Sequence, residues 1–189
     1  MKRVAVFYAT RQGQARKVAE RIAAALLARE LEVAVHRVDD VEGGDALAMA
    51  DATVVVASVH AGVHEPEMVE FVRAHPAVRE KPGAFVSVCL SEAIAESTKV
   101  PPSERAGAAK KVQEQVRVFL DQTHWKPAHV HPVAGALVYT HYNAFVRWMM
   151  KRGAVHAGLP TDTTHDWELT DWTDVEKFSE RLARDFHGD

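Results

Sequence analysis

Two hydrophobic periods run along this chain, and the switch between them comes within the first residues. Val4-Ala5-Val6-Phe7-Tyr8 is an apolar run that predicts a buried strand over residues 3–8. Over 14–30, Val18, Ile22, Ala25, Leu26 and Arg29 recur at helical spacing with charged residues opposite, which predicts a first helix. Residues 31–38 alternate as a second strand, followed by an acidic turn at Gly43-Gly44 and a brief helix around 45–50. A third strand over 52–58 carries the consecutive apolar residues Val54-Val55-Val56-Ala57. A β-branched run without alternation marks a strand covered on both faces, as in a parallel sheet flanked by helices. The pattern continues with a loop at 59–64, a helix near 65–75, a fourth strand over 83–90, and a helix over 103–122 after Pro101-Pro102. A fifth strand over 130–138 is interrupted by Pro132 and Gly135, and a last helix covers 174–186 with Thr173 or Asp174 as its cap. This repeated βα order predicts an α/β fold, a doubly wound five-stranded parallel sheet with helices on both faces. Ligands of such sheets sit at the carboxyl ends of the strands, which singles out the loops 9–14, 58–64 and 89–101.

The first of these loops, Ala9-Thr10-Arg11-Gln12-Gly13-Gln14-Ala15-Arg16, joins a strand to a helix through a polar turn. Free N–H groups and the positive dipole at the helix start favour an anion. Gly13 permits close backbone approach, and Thr10, Gln12 and Gln14 carry donors. The loop lacks the Lys-Ser/Thr pair of a P-loop and the three glycines of a Rossmann turn, so a single terminal phosphate fits it better than a triphosphate or dinucleotide. The plainer account is that any α/β protein begins with strand, polar turn and helix. The second loop, Ser58-Val59-His60-Ala61-Gly62-Val63-His64, leaves the central strand. A planar ligand with its phosphate on 9–14 would lay its rings near this loop and near Ser87, Val88, Cys89 and Leu90; otherwise the segment is a solvated turn.

Composition narrows the picture. The 189 residues suit one large domain, and 47% hydrophobic with 26% charged residues is the balance of an ordinary globule. With 23 basic and 26 acidic residues the net charge is -3, so no overall basic field argues for nucleic acid. One cysteine, Cys89, excludes an intrachain disulfide framework and suits a reducing cytoplasm. The chain starts on a strand pattern without a signal-peptide apolar region and has no apolar run of about 18 residues, so neither export nor a membrane span is expected. Of the 11 histidines, His129 with His131 and His60 with His64 are spaced to share a face or loop, but no carboxylate or cysteine completes a set, and no metal site is expected. Cys89 reads as a buried apolar thiol or as a reactive one beside a cofactor. Over 142–155, Tyr142, Phe145, Val146, Trp148, Met149 and Met150 crowd beside Arg147, Lys151 and Arg152. Such a basic aromatic helix either packs in a core or dimer, or meets an anionic membrane or an amphiphile carrying carboxylates.

At these residues the chain resembles the flavodoxin-fold, menaquinone-dependent protoporphyrinogen oxidase (dehydrogenase) family over almost its full length. Phe7-Tyr8-Ala9-Thr10-Arg11-Gln12-Gly13-Gln14 is similar to the family's phosphate loop, and Ala57-Ser58-Val59 with Gly62 and Glu70-Phe71-Val72 to its second flavin loop and following helix. Trp125-Lys126-Pro127, Ala134-Gly135-Ala136-Leu137 with Tyr139, Arg147-Trp148-Met149-Met150-Lys151, Thr161-Asp162-Thr163 and Glu168-Leu169-Thr170-Asp171-Trp172 follow in the family's order. Ordinary flavodoxins lack this tail. The resemblance implies a flavodoxin-like domain spanning 1–189, with a family-type insertion near 91–103 on the substrate side, whose composition here looks mobile. It implies FMN, its phosphate held by Thr10, Arg11, Gln12, Gly13, Gln14 and Ala15 and its isoalloxazine bordered by Ser58, Val59, His60, Ala61, Gly62, Ser87, Val88, Cys89 and Leu90. It further implies six-electron oxidation of protoporphyrinogen IX to protoporphyrin IX, in haem biosynthesis, with menaquinone or another quinone as acceptor. No catalytic proton-transfer residue follows, because the flavin carries the chemistry. Arg147, Trp148, Lys151 and Arg152 are the expected substrate or membrane surface of a cytoplasmic or membrane-peripheral enzyme. A homo-oligomer stays open, as do two other readings: a flavodoxin-like electron carrier or quinone reductase with another partner, and a cofactor-free binding module.

Overall fold

The computed structural model describes residues 1–40 and 44–188. Its strands are β1 (Arg3–Ala9), β2 (Glu32–Arg37), β3 (Ala52–His60), β4 (Val63–His64), β5 (Gly83–Cys89), β6 (His129–Ala134), β7 (Ala136–Leu137) and β8 (Trp167–Glu168). The helices are α1 (Gln14–Leu27), α2 (Gly44–Met49), α3 (Pro66–Ala74), α4 (Pro76–Glu80), α5 (Leu90–Ala95), α6 (Pro102–Thr123), α7 (Ala144–His156) and α8 (Trp172–His187). Five parallel strands pair in the order β2-β1-β3-β5-β6, so the chain steps outward from β1 in both directions. The connections therefore diverge at the carboxyl ends of β1 and β3, where such sheets hold their ligands.

Alternation along each strand feeds two cores. Val4, Val6, Val54, Val56 and Val86 face α1 and α8, where Val18, Ile22, Leu26, Phe178 and Leu182 cover them. Ala5, Phe7, Val55 and Phe85 face the other side, against Met68, Phe71, Val72, Phe119 and Trp125. The run Val54-Val55-Val56-Ala57 is wholly buried because both faces of β3 are covered. Trp125 serves this packing: a Cβ on Gly83 would lie 2.9 Å from its ring, so glycine there is what admits the indole. A smaller third cluster joins Leu137, Tyr139 and Ala154 with Leu90, Tyr142, Met150 and Trp167, and seats α7 beside the sheet's carboxyl edge.

Several expected boundaries move. The loop at 59–64 is a hairpin: Val59 and His60 extend β3 and pair antiparallel with β4, around Ala61 and Gly62 at φ 50° and 89°. Two consecutive positive φ values match a two-residue I′ connection. Within 91–103, α5 runs to Ala95 and α6 starts at Pro102, with 96–101 between them outside helix and strand; Leu90 ends no strand but opens α5. The fifth strand stops at Ala134, and Ala136–Leu137 turns away to pair antiparallel with β8. The cap of α8 is Asp171, whose carboxylate accepts from the N–H groups of Thr173 and Asp174 at 2.9 and 3.2 Å, in place of Thr173 or Asp174 itself. The expected Gly43-Gly44 turn lies, at Gly43, outside the described residues.

Candidate functional site

The carboxyl ends of β1, β3, β5 and β6 open into one cleft of about 380 Å³, the size of a small-molecule site. Its floor begins at the β1–α1 turn. Gly13 caps α1 at φ 90°, which a glycine adopts without strain, and no side chain bonds the helix's first N–H groups. The first intrahelical bond runs from Lys17 N–H to the Gly13 carbonyl, so the N–H groups of Gln14, Ala15 and Arg16 have no partner within the helix. No acidic residue stands in the first turn, whereas Arg16 and Lys17 do. A Cβ on Gly13 would meet nothing within 4 Å. The arrangement is an anion cradle. Thr10 stiffens it, its hydroxyl oxygen accepting from the Gly13 N–H at 3.0 Å with its own proton left to donate.

The second wall is the β3–β4 hairpin, with Ser58, Val59, His60 and Ala61 lining the cleft. Glu65, immediately before α3, stands behind both loops. Its carboxylate is 2% exposed and accepts from Arg11 Nε at 2.7 Å and from the Ser58 hydroxyl at 3.0 Å. The pairing makes Arg11 hold its proton more firmly than a free guanidinium. Val88, Cys89 and Leu90 form the third wall. Burial pushes the Cys89 thiol up to about 11, so it is uncharged at neutral pH and acts as an apolar surface.

The fourth wall comes from the later part of the chain: Gly135, Ala136, Val138, Tyr142, Val146, Met149 and Met150. Asn143 starts α7, its side chain accepting from the Val146 N–H. Arg147 turns inward and donates to the Tyr142 carbonyl at 2.9 Å, while Phe145 and Trp148 stand 70% and 57% exposed. Lys151 and Arg152 are exposed beside them, Arg152 lying 5.8 Å over the Trp148 ring. α7 thus gives one edge to the cleft and an aromatic, basic edge to solvent.

Not every expected residue meets the cleft. Ala15 is wholly buried in the core under α1, so only its N–H reaches the cradle. Ser87 is also buried and does not line the cleft: its hydroxyl lies 2.9 Å from Nε2 of His64, whose ring packs on Phe85 and Phe119. Gln14 lines the cleft, but its amide donates to Thr170 at 2.8 Å, and the Thr170 hydroxyl in turn donates to the Ala134 carbonyl. Gln14 therefore ties the tail to the loop rather than offering that donor to an anion. Glu65 went unforeseen, since a glutamate before a proline reads as an ordinary helix start. The fourth wall carried a signal in Tyr142, Met149 and Met150, though nothing in their spacing aimed them at this cleft. The histidines are engaged separately: His129 and His131 lie 2.8 Å from Asp185 and Asp174, His64 is buried, and His60 lines the cleft. Among the described residues no group of three or more His, Cys, Asp or Glu gathers as metal ligands do.

The chain matches the family model of the flavodoxin domain over residues 5–164. It is 31% identical over 182 residues to a protein of Escherichia coli named protoporphyrinogen IX dehydrogenase (quinone), covering 94% of this chain and 93% of the relative. A protein of the same name from Leishmania major is 30% identical over 181 residues, covering 94% of this chain and 73% of the relative. Among solved structures, a short-chain flavodoxin associated with a bacterial microcompartment superposes with a TM-score of 0.57 at 14% identity, covering 98% of this chain and 99% of that one. A flavodoxin variant from Pseudomonas aeruginosa gives 0.56 at 16% identity, covering 98% and 99%. These structures share the fold.

Proposed function

Since the chain belongs to the flavodoxin-domain family and, within it, to the protoporphyrinogen IX dehydrogenases, we propose that it binds FMN and oxidises protoporphyrinogen IX to protoporphyrin IX with a quinone as acceptor. The observation that carries this reading is that the anion cradle, the hairpin and the methionine-rich edge of α7 line one cleft. The residues fit the cofactor. The N–H groups of Gln14, Ala15 and Arg16 with the Thr10 hydroxyl suit a terminal phosphate, and Gly13 keeps that floor clear of side chains. Ser58, Val59, His60 and Ala61 on one side and Val88, Cys89 and Leu90 on the other suit a flat ring system. Gly62 sits at the hairpin tip, where a Cβ would project into open space. FMN, when bound, supplies the capacity to take up electrons from the porphyrinogen and pass them to a quinone.

The protein's part is then position and solvent exclusion. Val138, Tyr142, Val146, Met149 and Met150 offer an apolar wall for a broad macrocycle, methionine adapting to an irregular surface. Lys151 and Arg152 lie at its outer edge, suited to the macrocycle's carboxylates. The exposed face of Phe145 and Trp148 with these two cations rests on an anionic bilayer surface, where a quinone dissolves. No helix among the described residues is long and apolar enough to cross a membrane.

The reading is tested by mixing protein and FMN anaerobically, then adding protoporphyrinogen IX. The expected result is a bound-flavin spectrum whose oxidised band falls with the porphyrinogen and recovers when menaquinone follows. A bound flavin that porphyrinogen leaves oxidised would turn the case toward an electron carrier with another partner.

A further inference from the structure

Among the described residues that line the cleft, Arg11 is the one lysine or arginine and Glu65 the one carboxylate, and they are bonded to each other. The two carboxylate oxygens are divided between two loops: Oε2 accepts from Arg11 on the β1–α1 turn and Oε1 from Ser58 at the start of the hairpin. A carboxylate 2% exposed cannot turn away into water, whereas the Arg11 side chain is 52% exposed and only partly committed through Nε. The guanidinium keeps its terminal nitrogens for other acceptors.

We propose that Glu65 is a positioning and selectivity residue that fixes Arg11 and Ser58 across the mouth of the cleft and cancels the Arg11 charge, restraining the site's preference for a phosphate-bearing flavin. This inference rests on the FMN reading of the cleft. The anion cradle attracts the phosphate through neutral N–H groups and the helix dipole, and Arg11 adds a full charge to the same loop. Glu65 opposes that charge from a buried position 2.7 Å away, and because the Arg11 side chain is half exposed, salt still reaches the pair. The consequence is a cleft whose charged pair sums to zero, so that affinity is set by the cradle and by ring contacts. Glu65→Gln changes charge with little change of shape. A carboxamide oxygen still accepts from Arg11 Nε, its nitrogen donates to the Ser58 oxygen, and the Ser58 proton turns to the Ala9 carbonyl, already 3.4 Å away.

The test is a titration of FMN and of riboflavin, which lacks the phosphate, into wild type, Glu65→Gln, Arg11→Gln and the double variant, followed by flavin fluorescence. In Glu65→Gln, FMN affinity is expected to rise about three- to tenfold at low salt with riboflavin within about twofold, the gain shrinking near 0.5 M salt. In Arg11→Gln, FMN weakens relative to riboflavin, and adding Glu65→Gln to it restores most of the ratio. An FMN-to-riboflavin ratio unchanged in Glu65→Gln overturns the proposal. If Glu65→Gln does not fold, a ratio unchanged in Arg11→Gln overturns it equally. A wild type that binds neither flavin contradicts the cofactor reading and the proposal together, whereas both flavins bound with one ratio in every variant contradicts only the role of Glu65.

Discussion

Glu92, half-buried on α5 near Glu96 and Asp174, has its carboxyl pushed up to about 7 by burial and then by those two charges. An unfolded glutamate ionises near 4.5, so between about 4.5 and 7 the folded chain binds the extra proton. Stability contributed by this group is therefore full at acid pH and lost as pH rises through 7. Glu92→Gln should flatten that decline, gaining about 1–2 kcal/mol above pH 7 once solvent screening is allowed for, with no gain near pH 4.5. Thermal melts across that range check it; equal shifts at all pH values would contradict it. Nothing in the order of residues shows this charge group, because Asp174 lies far from Glu92 along the chain and comes to act on it only in the fold. Gln14 and Glu65 teach the same lesson at the site. The loop pattern puts Gln14 beside the cradle and the side chain lines the cleft, but its partner Thr170 is 156 residues away and redirects its amide. Glu65 bonds across 54 residues to Arg11, a separation over which spacing carries no signal.

At the scale of elements, strands buried on both faces and helices with one apolar stripe were legible, since each leaves a period several residues long. The two-residue strands β4, β7 and β8 were not, because each exists only through the partner it pairs with. α5 was hidden for a related reason: its six residues, Leu90–Ala95, are too few to stand without α6 against them. α7 was visible as a basic aromatic helix, yet the sequence left open whether it packs or meets a partner. The structure gives it both faces, with Met150 and Ala154 packed inside and Phe145, Trp148 and Val155 outside. If the outer face rests on lipid, Lys151→Gln with Arg152→Gln should lower partitioning onto anionic vesicles about thirtyfold, at roughly 1 kcal/mol per cation, with no change on neutral ones. Sedimentation with vesicles reads this directly. Unchanged sedimentation on anionic vesicles would remove the membrane from the account and leave the face to packing with another protein.

For the whole molecule, the doubly wound sheet explains why loops far apart in sequence reach one place. β1, β3 and β5 are neighbours, so the turns after them share an edge, and the step out to β6 brings the later part of the chain to the same edge. The first three walls of the cleft could be foreseen from strand order, while the fourth depended on how the tail folds back through β7 and β8. That fourth wall adds Val138, Tyr142, Val146, Met149 and Met150 to the cleft. The most direct measurement is porphyrin fluorescence in an anaerobic mixture of the FMN-loaded protein, protoporphyrinogen IX and menaquinone, with each component omitted in turn. Multiple-turnover porphyrin formation is expected only when protein, FMN and quinone are all present. Porphyrin formed no faster than without the protein, although FMN is bound and quinone is in excess, would contradict it.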